Sequence, residues 1–243
     1  MVFCQPQRDV VIPTLHIDNV MIECVNEFAF LGLTLDTHLS WNNHIQKIAS
    51  KISQTIGIMN KLKVFLPSDI LQIIYNSLIL PRFNYCLLSW GHKLERLEKL
   101  QKKAVRIINH SKYNAHSEPI LKSRNLLKLE DIYILQALKF YYKLLHGLLP
   151  SYFHQHLQIT STPLIHDHDT RRPGFFVFRT QHTFARKCLR HELTRILNLT
   201  PDIIKDKVHT HSFFGFSQYI KKYFIENYEI SCSVPNCYIC NEN

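Results

Sequence analysis

HKLERLEKLQKKAVRIIN, residues 92–109, is the stretch on which the reading of this chain turns. Leu94, Leu97, Leu100, Ala104, Val105 and Ile108 recur at spacings of three and four, and only Gln101 breaks the series, so an amphipathic helix with that stripe turned inward is predicted. Its other face is basic. Arg96, Lys99, Lys103 and Arg106 stand at i, i+3, i+7 and i+10, on one side of the cylinder. Glu95 and Glu98, four residues before Lys99 and Lys102, are expected to offset part of this charge through weak surface pairs. Cations at one-turn spacing can follow a phosphate backbone and release its counterions. The same row is also what an ordinary solvated helix face carries.

On the N-terminal side, Ile70, Leu71, Ile74 and Leu78 form a stripe that starts after Pro67-Ser68 and is expected to end at Pro81. Before it, Ile45, Ile48, Ala49, Ile52, Ile56 and Met59 predict a helix with Ser40 as its N-cap, and the second helix should fold back on the first. Thr14–Ile17 and Val20–Cys24 are short β-type runs with Asp18-Asn19 between them, a hairpin pattern. In a third run, Phe28–Leu35, Gly32 predicts a bulge or a close backbone approach.

On the C-terminal side, a helix is predicted from Glu130 to His146, with Leu135, Leu138, Tyr142 and Leu145 on one face and Gly147 as its stop. Residues 161–174 have no helical period and read as a long loop or boundary. Helices resume near 181–198 and 212–228. The expected fold is mainly α with a small N-terminal β-hairpin or sheet (α+β). Residues 1–40 form the β element, 41–158 a helical bundle, and 159–243 a His-rich loop, a helical C-terminal region and a Cys-rich tail.

The 243 residues are 46% hydrophobic, enough for one good core or two small ones, which excludes a wholly disordered chain. Lysine and arginine number 29 against 19 acids, a formal +10. Residues 1–40 hold one base and five acids, 41–128 fifteen and four, and 129–243 thirteen and ten. The positive charge is therefore concentrated in the middle block, which points to a polyanionic partner, the alternative being a lysine-rich soluble surface. No run approaches the roughly eighteen apolar residues of a membrane span, and no basic-then-apolar leader opens the sequence, so an intracellular location, nucleus or cytoplasm, is expected.

Cys4, Cys24, Cys86 and Cys188 lie among apolar neighbours, where a reduced, buried state is expected. Cys232, Cys237 and Cys240 supply three soft ligands at zinc spacing, for which His209 or His211 could be a fourth; the alternative is free cysteines in a frayed tail. In His166-Asp167-His168-Asp169, alternation along an extended strand lets only His166 and His168 converge, and a plain polar loop is the competing reading. Trp41, Tyr75, Phe83, Tyr85 and Trp90 are read as core rather than as base-stacking residues.

Several stretches resemble, in order and spacing, the region after the catalytic palm in jockey-like non-LTR (LINE-type) retrotransposon reverse transcriptases. They are Phe28-Ala29-Phe30-Leu31-Gly32-Leu33-Thr34-Leu35-Asp36 with Leu39-Ser40-Trp41, Ile74-Tyr75-Asn76-Ser77-Leu78-Ile79-Leu80-Pro81 with Phe83-Asn84-Tyr85-Cys86, residues 100–108, and Tyr142–Pro150. Thr170-Arg171 after His166 and His168 is similar to a further element of that family, although an aromatic is more usual where His168 stands. The resemblance implies a primer-grip-like role for Phe30-Leu31-Gly32 and a thumb formed by the helices from Trp41 onward. The partner it implies is a primer-template duplex of RNA and DNA. The family's chemistry uses an aromatic-x-Asp-Asp sequence whose carboxylates hold two Mg2+ ions. No Asp-Asp pair occurs in this sequence. The expectation is thus a fragment without fingers or most of the palm, catalytically inactive by itself. A retained nucleic-acid-binding module and a helical protein-interaction module are the alternatives.

Overall fold

The computed structural model describes residues 1–4, 14–157, 159, 175 and 188–228. Two small antiparallel hairpins precede a helical body, the mainly α architecture with a small β part that the periodicities predict. In the first hairpin, β1 (His16–Ile17) pairs with β2 (Val20–Met21), and Asp18 and Asn19 both take positive φ, as a two-residue type I′ turn requires.

The third β run is itself a hairpin, not a bulged strand. β3 (Glu27–Phe30) pairs with β4 (Leu33–Asp36), and Leu31 and Gly32 turn the chain at φ 47° and 80°. The reason is visible in the side-chain pattern. A continuous strand would put Phe28 and Phe30 on one face and Leu33 and Leu35 on the other. Reversal at Leu31-Gly32 sets Phe28 opposite Leu35 and Phe30 opposite Leu33, so all four share a face.

Asp36 governs the passage from β4 into α1 (Asn42–Leu62). Its carboxylate accepts from the backbone N–H groups of His38 (3.0 Å), Ser40 (3.0 Å) and Trp41 (3.2 Å) and from the Ser40 hydroxyl (2.9 Å). Partial burial pushes the other way, but the bonds from Ser40, His38 and Trp41 hold the carboxyl below its ordinary value. Ser40 is therefore not the N-cap. Trp41, at φ 63°, precedes the first turn, and the Ser40 hydroxyl donates to Asp36 (2.9 Å) while accepting from Asn42 N–H at 3.4 Å.

α2 (Ser68–Ile74), a π-helical turn (Tyr75–Ile79) and α3 (Leu80–Asn84) run on as one rod, so Pro81 does not end the helix. Proline lacks an N–H and its ring collides with the carbonyl four residues back. Here the helix widens before it, and Leu80 N–H bonds to the Tyr75 carbonyl five residues earlier. The widening also moves the buried stripe that runs through Leu71 and Tyr75 onto Ile79 and Phe83, which leaves Leu78 exposed where the sequence periodicity had it inward; Ile70, before the widening, is exposed as well.

α4 (Leu87–Trp90), α5 (Glu95–Ile108) and α6 (Ser117–Ser123) lead to α7 (Leu129–Leu145). Gly147, at φ 67°, closes α7: its N–H reaches the Leu144 carbonyl and that of Leu148 the Lys143 carbonyl, the paired bonds of a Schellman motif. α7 is covered from two sides, by α4 and α5 and by the C-terminal helices, so its buried arc includes Ile132, Tyr133, Ala137, Tyr141 and Leu144 as well as Leu135, Leu138 and Tyr142. Leu145, its last residue, is exposed.

Beyond α8 (Ser151–His156) come α9 (Leu189–Leu199), α10 (Asp202–Thr210) and α11 (Phe213–Glu226). α10, after Thr200-Pro201, was not legible as a separate helix. Ser212 caps α11 by accepting from Gly215 N–H (3.2 Å). One hydrophobic core runs from Ile45 of α1 through Phe83, Trp90, Leu97 and Leu129 to Leu193 and Phe216. Among the described residues no helix is long and apolar enough to cross a membrane. The cysteine cluster, apart from the candidate fourth ligands His209 and His211, and the segment 166–171 lie outside the described residues.

Candidate nucleic-acid interface

α5 is oriented by what its inner face grips. Leu97, Ala104, Val105 and Ile108 are buried among α1, α2 and α7, and Gln101, 2% exposed, is built into that surface as a polar tie. Its Nε2 donates to the Tyr75 hydroxyl and to the Leu127 carbonyl, both at 2.9 Å, and its Oε1 accepts from Leu129 N–H at 2.9 Å. The interruption in the apolar stripe thus joins three elements: the π-helical turn, α5 and the start of α7. Burial pushes the Tyr75 hydroxyl up to about 12, so it stays neutral in this contact.

With that face locked, Arg96, Lys99 and Lys103 project outward and are exposed. They span about 10 Å of helix axis. Lys102, which was not counted in the row, is exposed beside them. Arg106 behaves differently. It is half-buried, its Nε donates to the Ala115 carbonyl (2.6 Å), and burial pulls its guanidinium below the ordinary arginine value. It fastens the loop between α5 and α6 and does not extend the free row.

The expected acid offsets form no close ion pair, although the Lys102 charge still acts on Glu98. Among the described residues the ion pairs fall elsewhere, for example Lys47 with Glu27, Arg124 with Asp69 and Lys128 with Glu118. Glu98 turns toward Glu130 at the start of α7. Burial first and the Glu130 charge second push its carboxyl above the ordinary value, against the pull of the Lys102 charge.

The Arg96 end of the row adjoins a groove lined by Asn42, Ile45, Gln46, His92, Lys93 and Glu95, and Lys93 Nζ reaches the Ser40 carbonyl (3.3 Å) and Asn42 Oδ1 (2.9 Å). The row is thereby seated next to the first turn of α1, where the second hairpin is attached. Thr34 N–H donates to His44 Nδ1 (3.3 Å), and Lys47 reaches both Glu27 (2.5 Å) and Thr34 Oγ1 (3.3 Å).

Phe30-Leu31-Gly32 forms the tip of that hairpin, fixed at its far end by Tyr85. The tyrosine hydroxyl donates to the Leu31 carbonyl (2.5 Å), and its ring lies 3.5 Å from where a Gly32 Cβ would be. Tyr85 is therefore half exposed against the tip, not core, whereas Tyr75, Phe83 and Trp90 are buried as expected. A leucine in the left-handed region costs roughly 1–2 kcal/mol, and Leu31 is 72% exposed, with little packing to offset that strain. Local backbone strain at an exposed position, held in place by a bond from elsewhere in the fold, is a recurring feature of contact sites. Strain of this kind is invisible in the sequence, because it depends on the turn being I′ and not a bulge.

The described residues include no group of three His, Cys, Asp or Glu side chains placed to hold a metal ion. In comparisons with known proteins, the chain matches no family model, no curated sequence and no solved structure.

Proposed function

We propose that the chain is the post-palm, thumb-like part of a non-LTR retrotransposon RNA-directed DNA polymerase, and that it grips nucleic acid without doing chemistry itself. The observation that carries this reading is the exposed row Arg96, Lys99 and Lys103 on a helix whose reverse face is locked into the core. A rigid row of cations next to a strained, exposed hairpin tip suits a backbone-tracking contact, in which phosphates set position and no base is read. In the whole polymerase, two Mg2+ ions on palm carboxylates would supply the nucleotidyl-transfer chemistry. The first hairpin also exposes apolar side chains, Ile17, Val20 and Met21 among them, a surface the rest of such a polymerase would cover.

The test is binding of a fluorescent RNA–DNA duplex at several salt concentrations. Three phosphate contacts give a log–log salt slope of about −2.7. Replacing Arg96, Lys99 and Lys103 by glutamine should remove most of it. Arg106 is left intact, since its loss would free the Ala115 loop. An unchanged slope would refute the assignment of the row, and primer extension by the purified chain would refute the non-catalytic reading.

A further inference from the structure

We infer that β3 is a self-recognition edge, through which two copies of this chain pair antiparallel to form a four-stranded sheet; this goes beyond the nucleic-acid reading and does not depend on it. Hydrogen-bond alternation defines the edge. Thr34 faces Ala29, yet its N–H goes to His44, so Ala29–Thr34 is a non-hydrogen-bonded pair. Thr37 N–H bonds to the Asn26 carbonyl, which fixes the same phase at the other end. The ladder to β4 therefore uses Phe28 and Phe30, and the backbone groups of Glu27 and Ala29 point away from it. Among the described residues no further strand joins this sheet, and all four β3 residues are exposed.

The edge is self-complementary. Antiparallel pairing about Ala29 places Ala29 opposite Ala29 of the second copy, small against small, with their outward N–H and C=O groups exchanged. It sets Phe28 opposite Phe30 of the second copy and the reverse, two aromatic pairs on one face. Glu27 falls opposite Leu31, so no like charges meet, and Glu27 is already neutralised by Lys47 on its own chain. Closure about a twofold axis uses one edge from each copy and leaves no further free β3 to propagate a fibre.

The surface available sets the strength. Phe28, Phe30 and Leu31 are 53%, 53% and 72% exposed. With the strand edge they offer on the order of 400 Å² per copy, about half of what each partner contributes to a standard interface. Association through this edge belongs to the weak class.

Sedimentation of the full chain from about 5 to 500 µM, without nucleic acid, should show the mean mass rising toward that of two copies. Ala29→Pro deletes the outward N–H and spares the β3–β4 ladder, and should weaken association at least about tenfold with unchanged helical circular dichroism. Ala29→Val keeps the N–H and should associate as well as the native chain or better. Hydrogen exchange provides a readout independent of any variant: the amides of Glu27 and Ala29 should become protected as concentration rises, while those of Phe28 and Phe30 are protected throughout. A chain that stays monomeric, an Ala29→Pro chain that associates as tightly, or an Ala29 amide indifferent to concentration overturns the proposal. So does protection of that amide only when an upstream palm segment is added in trans, which would assign the edge to that segment. Duplex binding by the α5 row is measured separately, so either reading can fail while the other stands.

Discussion

A buried amide destabilises a core unless its groups are answered, and at Gln101 the donor and the acceptor both are. Gln101→Leu would strand the Leu127 carbonyl and the Leu129 N–H in the interior, and should cost about 2–4 kcal/mol in urea denaturation. Gly91 is the steric counterpart. A Cβ there would lie 2.5 Å from the Tyr133 ring and 2.6 Å from the Leu87 carbonyl, so Gly91→Ala must displace a ring or the backbone. The expected loss is about 1–3 kcal/mol, read as a lowered melting temperature. At Leu31 the sign reverses. Leu31→Asn creates the Asn-Gly pair that type I′ turns favour and should stabilise the hairpin by about 1 kcal/mol. If the tip contacts nucleic acid, the same substitution should weaken duplex binding, so that stability and affinity move in opposite directions.

Among the elements, α5 and the second hairpin show two ways of holding a surface outward. α5 is anchored by a full apolar stripe with a polar tie, so neutralising its outer cations should leave the unfolding midpoint almost unchanged while flattening the salt dependence of binding. The hairpin rests instead on Leu33 packed against the core and on a few polar contacts: Tyr85 to Leu31, Thr34 to His44, and Lys47 to Glu27. Tyr85→Phe removes the bond at the tip. It should speed amide exchange at the tip relative to the α5 amides, and unaltered exchange there would mean that the tyrosine does not fix the turn. The rod from α2 to α3 shows a further behaviour, in which one proline is absorbed by a change of helical register and the rod continues past it.

Across the whole molecule, His44 couples hairpin and bundle to pH. It is buried edge-on to Trp41 and Trp90, and burial first, then the charges of Lys47 and Lys51, hold its imidazole below the ordinary value. The unfolded state therefore binds the proton more readily. The stability that neutral His44 contributes is complete above about pH 6.5 and is lost as pH falls from there through the folded value. His44→Asn should remove this component, seen as a smaller difference between unfolding midpoints at pH 7 and pH 5 than in the native chain. The long helices α1, α5, α7 and α11, the stripe of α5, the first hairpin's turn and the stop at Gly147 could be read from residue types and spacing, because each is decided within a few neighbouring residues; the short helices α4, α6, α8 and α10 could not. The sequence by itself determined a mainly helical body with a concentrated basic block. Only the tertiary structure decided that Arg106 serves a loop and not the row, that Glu98 faces Glu130, that the buried stripe rotates at the π-helical turn, and that Leu31 is strained at an exposed tip. Those outcomes depend on which distant surfaces meet, and local periodicity carries no information about that.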